Sequence, residues 1–252
     1  MHEIVRRDLL QTQKEIQHGA AQYPDFVKEE LLNAVREHIG PELTEKHFTP
    51  SYRPWQQRLA FVPDADLFKA VTDGRASVVT EHIDHFTSTG IKLKSGEVLE
   101  ADVVITATGF NLLPIGGISY VIDGDRFDPA AAYTHRGIMI SDLPNFAMIF
   151  GYLRTSWTMR VDLVADYICR LFKLMEAKGA QSVVPRLRPE DQDMPQNRWI
   201  DPSEFDPGYM KRAAHLMPKS GDREPWKFSP DYYEEKIQMP RFDLEDETLV
   251  YE

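Results

Sequence analysis

The stretch Asp102-Val-Val-Ile-Thr-Ala-Thr-Gly109-Phe110 decides the fold class of this 252-residue chain. Its β-branched run, Val103 to Thr106, predicts a buried strand of an α/β protein. The strand delivers Thr108 and Gly109 at its carboxyl end, which is where ligands lie in open α/β sheets. Because Gly109 has no Cβ, a flat ring or a phosphate could approach the backbone closely there. Taken alone, the segment is more typical of a glycine turn that follows a core strand.

The same region raises the question of a membrane span. No charged residue occurs over the 20 positions from Val103 to Ile122, which is long enough for a helix to cross a bilayer. The segment contains Gly109, Pro114 and the pair Gly116-Gly117, and it opens with β-branched residues. A strand, a glycine turn and an apolar loop therefore fit it better than a membrane helix.

Apolar spacing predicts helices near the start of the chain and after residue 156. Residues 4–16 carry one apolar stripe, and a second helix begins at Pro24 and ends at Gly40. A long helix is predicted over Ser156–Lys178, with Ser156 as its N-cap. Cys169 lies within that helix, where we expect a small core residue.

Between these helices the sequence predicts the short elements of an α/β domain. A short helix runs from Pro63 to Val71 and ends at Asp73-Gly74, and Lys94–Glu97 forms a turn between strands. Apolar segments predict six strands, over residues 58–62, 76–80, 82–86, 90–93, 102–106 and 145–151. This order suggests the closing half of an α/β nucleotide-binding domain.

Residues 180–252 have a different composition. They hold nine of the 17 prolines and a net charge of −6 out of −11. Spaced aromatic residues argue against disorder, and they are Trp199, Phe205, Tyr209, Trp226, Tyr232, Tyr233 and Phe242. We expect an extended segment anchored on the body by these side chains, with a flexible, partner-binding tail as the alternative.

Charge and cysteine content exclude several classes of function. A net charge of −11 without any Lys/Arg block argues against nucleic-acid binding. The single cysteine excludes a disulfide framework and a CxxC metal or redox site. His82 and His85 fall on opposite faces of a strand, so no metal site is expected. Residues 1–15 have no apolar signal core, which favours a cytoplasmic location, with peripheral membrane association left open.

Several further motifs carry a family resemblance. They are His47-Phe-Thr-Pro-Ser-Tyr-Arg-Pro-Trp-Gln-Gln-Arg-Leu59, the Ala107-Thr-Gly109 motif, Phe150-Gly-Tyr152, Ser156-Trp-Thr158 and Asp246-Glu-Thr-Leu-Val-Tyr251. Together they resemble the C-terminal part of flavin-containing Baeyer–Villiger monooxygenases. The most similar subgroup also oxidises sulfur and activates thioamide prodrugs, the ethionamide monooxygenase type. The likeness covers nearly the whole chain.

The resemblance implies an α/β fold of a particular kind, an incomplete flavoprotein fold with two dinucleotide-binding domains. Residues 1–108 would be a helical segment and the closing part of the NADP-binding domain. Residues 109–179 would return into the FAD-binding domain, and residues 180–252 would form a C-terminal wrap. Both glycine-rich GxGxxG fingerprints that such enzymes need are absent from this sequence. The chain therefore resembles the second half of a family member.

The resemblance also implies site residues. Arg58 matches the arginine that stabilises the anionic peroxide formed on the flavin and contacts the nicotinamide, since a guanidinium never deprotonates. Thr108, Gly109 and Phe110 match the passage between the two domains, and we expect them to contact cofactor. Without the resemblance, an arginine in a surface ion pair would be the better interpretation of Arg58.

A second group of site residues begins the long helix. Thr155, Ser156 and Trp157 match the helix start that faces the flavin, where free N–H groups favour an anion. Arg154 departs from the small polar residues expected in this turn.

The function implied is an FAD- and NADPH-dependent monooxygenase acting through a C4a-peroxyflavin. It would convert a ketone to an ester, or a sulfide or thioamide to an S-oxide. A separate chain could supply the missing N-terminal half. The alternative is a catalytically inactive remnant that acts as a protein-interaction module, because an incomplete domain would leave apolar surface uncovered.

Overall fold

A computed structural model describes residues 19–20, 22–60, 62–153, 155–228 and 230–252. The chain divides into two compact units, an N-terminal unit up to Phe110 and a C-terminal unit from Asn111 to Glu252. Each unit is described by itself. The helix predicted over residues 4–16 lies outside the described residues.

Helices α1 (Pro24–His47) and α2 (Asp66–Thr72) lie in the described part of the N-terminal unit, and α2 directly follows a 3-10 turn at Pro63–Ala65. At Gly40 the backbone adopts φ +78° and ψ 166°, so the helical path breaks where the sequence predicts its end. The two helices pack through His38 and Phe68, whose rings stack with centroids 5.7 Å apart.

The same unit contains one antiparallel sheet of three strands. They are β1 (Ile83–Phe86), β2 (Gly90–Leu93) and β3 (Val98–Glu100), paired in that order. A Cβ at Gly90 would lie 2.0 Å from the carbonyl oxygen of Leu99, so only glycine allows this pairing. The sequence predicts β1, β2 and the turn after them, but it misses β3. The described parts of 58–62 and 76–80 are irregular, so the strands predicted there are wrong.

The strand predicted over residues 102–106 is also wrong for this structure. The segment has no ladder partner among the described residues. Val103 is 77% exposed and Ile105 is 86% exposed. Extended β-branched residues form a strand only when a neighbour accepts and donates the ladder hydrogen bonds. The apolar pattern thus identifies a segment that is suited to pairing with another strand. Among the described residues, no strand pairs with it.

The C-terminal unit combines short antiparallel pairs with three helices. Its strand pairs are β4 (Tyr120–Ile122) with β5 (Asp125–Phe127), β6 (Thr134–His135) with β7 (Met139–Ile140), β8 (Val183–Pro185) with β11 (Leu249–Tyr251), and β9 (Asn197–Arg198) with β10 (Lys219–Ser220). Its helices are α3 (Thr158–Lys178), α4 (Gly208–Ala213) and α5 (Tyr232–Gln238). This mixture of helices and small sheets is compatible with the α/β class. The strand predicted over residues 145–151 is an irregular segment here.

Helix α3 organises the larger core of this unit. Its buried stripe recurs at helical spacing and consists of Arg160, Val164, Tyr167, Leu171 and Met175. Val183, Met239, Leu244 and Leu249 pack against the apolar members of this stripe. The helix ends at Gly179, which adopts the left-handed conformation at φ +65°.

The opposite face of α3 is exposed and partly apolar. Cys169 lies there, which corrects the prediction of a core cysteine. The reason is helical phase: at about 100° per residue, position 169 lies on the side of the helix opposite to the buried positions 167 and 171. Val161 and Phe172 are also exposed on this side of the helix, and Phe172 is 62% exposed. We call Val161, Cys169 and Phe172 the outer stripe.

Residues 180–252 pack by their aromatic side chains. Trp199, Phe205, Trp226 and Tyr232 are buried. Trp199 stacks on Phe228 with centroids 5.0 Å apart and forms a second core cluster with Phe205. Two helices, α4 and α5, lie within this segment, so it is less extended than the sequence suggests.

A buried polar contact joins β6 to the segment before β11. The Nε2 atom of His135 lies 3.0 Å from Oγ1 of Thr248, whose hydroxyl donates to Asp246. His135 is fully buried. Burial, and then the charge of Arg136, lower the pKa of His135 to about 3. The imidazole is therefore neutral at pH 7.

This buried histidine makes the stability of the protein depend on pH. Its pKa is 6.5 when unperturbed and about 3 in the fold. At pH values between these two, the unfolded chain binds more protons than the folded chain. The stabilisation contributed by the neutral histidine is therefore complete above pH 6.5 and is lost as the pH falls. We expect His135→Gln to reduce the slope of unfolding free energy against pH by up to about 1.4 kcal/mol per unit in this range.

Urea denaturation at a series of pH values measures this slope. His82→Gln is the matched control, because His82 is exposed. An unchanged slope in His135→Gln would contradict the assignment.

Candidate functional site

The turn from Gly151 to Trp157 leads into helix α3. The indole of Trp157 lies across Gly151, because a Cβ at Gly151 would be 2.3 Å from Cγ of Trp157. The ring of Phe150 lies 4.9 Å from that of Trp157. Glycine at position 151 is thus required by close packing, and the indole is left 45% exposed.

The N-cap of the helix lies one residue later than the sequence predicts. Thr158 is the first residue of the helix and Trp157 is the N-cap. The prediction of Ser156 as N-cap is therefore wrong. No side chain makes a capping hydrogen bond at this helix start. The Oγ atom of Ser156 instead lies 2.8 Å from Oγ1 of Thr158.

The surroundings of this helix start suit an anion. Ser156, Trp157 and Thr158 are exposed, and Thr155 is buried beside them. The amides of Met159 and Arg160 already donate to the carbonyl oxygens of Ser156 and Trp157, so the first turn attracts an anion mainly through the positive end of the helix dipole. Two exposed hydroxyls and an indole therefore surround a positive helix end. Arg154, the departure noted in the sequence, lies outside the described residues.

Arg160 is a site residue that the sequence reasoning missed. It is in the first turn of α3 and its side chain is fully buried. Nη1 donates to the carbonyl oxygen of Phe150 over 2.9 Å, and Nη2 lies 2.9 Å from Oε1 of Glu235. One signal could have revealed it. Position 160 starts the apolar spacing of the buried stripe, so a charge there predicts a buried, paired cation.

Glu235 also contacts the turn directly. The hydroxyl of Tyr152 donates to Oε2 of Glu235 over 2.5 Å. Burial first, and then the neighbouring carboxylate, raise the pKa of Tyr152 well above its usual value, so the phenol stays protonated. The turn is thereby tied to α5 through a tyrosine as well as an arginine.

The remaining predicted site residues belong to the N-terminal unit. Arg58 is exposed, after a short loop in which Pro54 and Trp55 are buried. Thr108, Gly109 and Phe110 are consecutive and exposed. Gly109 has φ +93°, a conformation that favours glycine, and a Cβ there would meet no atom within 4 Å. The structure thus shows a conformational need for this glycine and open space beside it.

Within residues 19–20, 22–60, 62–153, 155–228 and 230–252, no group of three or more His, Cys, Asp or Glu could hold a metal ion. No helix in this part of the chain combines the length and apolar character needed to cross a membrane.

Comparison with known proteins identifies a class of relatives for the chain. No protein-family model matches the chain. Curated relatives do match it over most of its length, at 36–42% identity, and they are named FAD-binding or FAD-containing monooxygenases. The chain is thus a relative of the flavin-containing monooxygenases.

Three relatives illustrate the match. A probable FAD-binding monooxygenase, AlmA, of Acinetobacter baylyi is 40% identical over 251 residues, which is 100% of this chain and 50% of the relative. The FAD-containing monooxygenase EthA of Mycolicibacterium smegmatis is 39% identical over 92% of this chain and 46% of its own length. A putative FAD-containing monooxygenase, MymA, of Mycobacterium tuberculosis is 36% identical over 100% of this chain and 50% of its own length. The chain spans about half the length of these relatives.

The packing of Trp157 on Gly151 generates a prediction. Gly151→Ala places a methyl group inside the indole, so the turn must shift, and we expect a loss of about 1–3 kcal/mol in unfolding free energy. Urea denaturation measures the loss, and the tryptophan emission should change because the indole moves.

Gly208→Ala is the matched control for this variant. A Cβ at Gly208 meets only the tip of Arg212, at 3.2 Å. Equal stability of the two variants would contradict the packing argument.

Proposed function

We propose that the chain is the C-terminal part of an FAD- and NADPH-dependent monooxygenase of the Baeyer–Villiger type. The carrying observation is the similarity to flavin-containing monooxygenases across nearly all of its residues. The fold proposed is the part of a two-dinucleotide-binding-domain flavoprotein that follows both glycine-rich fingerprints. The substrate classes are ketones, converted to esters, and sulfides or thioamides, converted to S-oxides.

The turn from Gly151 to Trp157 fits one edge of a flavin. The N1/C2 carbonyl edge of the ring carries negative charge when the flavin is reduced, and the start of α3 favours such charge. No Asp or Glu lies between residues 151 and 161. Thr155, Ser156 and Trp157 are therefore the residues proposed to hold this edge. When bound, FAD supplies the redox chemistry, taking hydride from NADPH and activating oxygen.

Residues of the N-terminal unit are proposed, by themselves, to contact cofactor. The guanidinium of Arg58 is exposed and permanently charged, so it can stabilise negative charge that develops beside it. A flat ring could approach the backbone at Gly109, where the space beside the glycine is open. Its neighbours Thr108 and Phe110 are exposed. A second polypeptide that supplies the other half of the relatives' length would complete the cofactor site.

Reconstitution tests this proposal. The chain is co-expressed with residues of the Acinetobacter baylyi relative that lie outside the matched half, and the complex is purified. We expect a yellow complex that retains FAD and oxidises NADPH when a ketone or a sulfide is added. A complex that forms but binds no FAD would overturn the proposal.

Arg58→Ala in that complex tests the role of the guanidinium. We expect FAD to be retained and substrate oxygenation to fall by about 10²–10³-fold, as for loss of a group that stabilises developing charge. Product formation is measured by mass spectrometry. Arg75→Ala is the control, because Arg75 is an exposed arginine paired with Asp73. Unchanged oxygenation in Arg58→Ala would remove this residue from the site.

The outer stripe of α3 favours a second candidate function, an interaction module without catalysis. Phe172 is 62% exposed and Val161 is 37% exposed, although both are apolar side chains on one helix face. Exposed apolar patches of this kind mark surfaces that associate.

Sedimentation equilibrium of the isolated chain tests this candidate. We expect concentration-dependent association, weakened by Phe172→Ser and unaffected by Lys173→Ser, a change at the neighbouring exposed position. A chain that stays monomeric at all concentrations would exclude the interaction function for this surface.

A further inference from the structure

The buried guanidinium of Arg160 occupies an electrostatically unfavourable place. It lies in the first turn of α3, where the helix dipole favours negative charge. Its side chain is fully buried, and burying a charge costs several kcal/mol unless the charge is paired. Its position therefore requires strong compensation from the surrounding residues.

The compensation is complete, because all five N–H groups of the guanidinium have acceptors. Nε lies 2.9 Å from Oε2 of Glu235, and Nη2 lies 2.9 Å from Oε1 of the same carboxylate. Nη1 donates to the carbonyl oxygens of Gly137 and Phe150 over 3.1 and 2.9 Å. Nη2 also donates to the carbonyl oxygen of Arg136 over 3.1 Å.

These bonds join segments that are far apart in sequence. Phe150 is the residue immediately before the turn, while Glu235 is in α5, 75 positions after Arg160. The carboxylate of Glu235 also accepts from Tyr152, the second residue of the turn. The entry to the turn is thus held from two sides by one ion pair, and half of that pair comes from the C-terminal segment.

We propose that Arg160 and Glu235 are positioning residues for the turn from Gly151 to Trp157. Through the Phe150 carbonyl and the Tyr152 hydroxyl, the C-terminal segment sets the backbone path of the turn and the place of the Trp157 indole. The statement that this turn faces a flavin rests on the proposed function. The positioning of the turn by Arg160 and Glu235 does not depend on that function.

Loss of stability does not separate a positioning role from a purely stabilising one, because removing one partner of a buried ion pair costs about 3–5 kcal/mol in either case. A purely stabilising role predicts an unchanged environment of Trp157 in a variant that stays folded. The tryptophans offer a local reporter. Trp55, Trp199 and Trp226 are buried, whereas Trp157 is 45% exposed. Acrylamide quenching of tryptophan fluorescence therefore reports mainly on the turn.

The experiment compares Glu235→Gln with Glu234→Gln in the full chain, under conditions where circular dichroism shows both to be folded. Glu234 is the exposed neighbour on the same helix, so its variant loses the same charge. We expect a larger quenching constant and a red-shifted emission for Glu235→Gln only. Trp157→Phe, added to either variant, should remove the difference. An unchanged quenching constant in folded Glu235→Gln would overturn the proposal.

A milder variant keeps the proposal testable if Glu235→Gln does not fold. Tyr152→Phe removes one hydrogen bond to Glu235 and leaves the ion pair intact. We expect a smaller increase in quenching in the same direction, and no change would overturn the proposal. FAD retention in the reconstituted complex is measured separately. Changed quenching in a complex that never binds FAD would refute the proposed function and leave the positioning role standing.

Discussion

The C-terminal unit depends on one constraint, that a buried guanidinium must have an acceptor for every N–H group. Arg160 meets this requirement with three backbone carbonyls and one carboxylate. Because those acceptors belong to residues 136–137, 150 and 235, satisfying one side chain fixes three separate segments against α3. An apolar side chain at the same position could fill the space, but it could not select these particular backbone groups.

The candidate site is a consequence of this arrangement. Glycine at 151 lets the indole of Trp157 lie flat across the backbone, and the ion pair holds the residue before it. The helix start is then left with exposed hydroxyls and no capping side chain. The amides of Met159 and Arg160 donate to the carbonyl oxygens of Ser156 and Trp157, so what this end offers a ligand with negative charge is the positive end of the helix dipole. The packing that stabilises the unit is also what presents this end.

The sequence predicts local features of the backbone well, and it predicts contacts between distant segments poorly. Gly40, the turn at Lys94–Glu97 and the stop at Gly179 are all where the sequence places them, because each follows from the conformational freedom of one or two residues. The strand over 102–106 fails because a strand needs a neighbour that its own sequence cannot specify.

The site shows the same division between local and long-range features. The turn and the helix start are recognisable from their residues, but the N-cap is misplaced by one position, since capping depends on the backbone angles of Trp157. The position of Arg160 in the apolar spacing of α3 indicates a buried cation, but its counter-ion cannot be predicted from the local sequence, because Glu235 is 75 positions away. Cys169 is misassigned for a simpler reason, the phase of the helix.

The pairing of β8 with β11 has a consequence for how the polypeptide acquires its structure during synthesis. Val183 pairs with Tyr251, and the amide of Gln181 donates to the carbonyl oxygen of Glu252. Helix α3 is complete long before residues 249–252 emerge from the ribosome, yet its buried face needs Leu244 and Leu249 as cover. During that interval the apolar stripe of α3 is exposed to other nascent chains and to chaperones. Contacts of such large sequence separation also slow the final closure of the core.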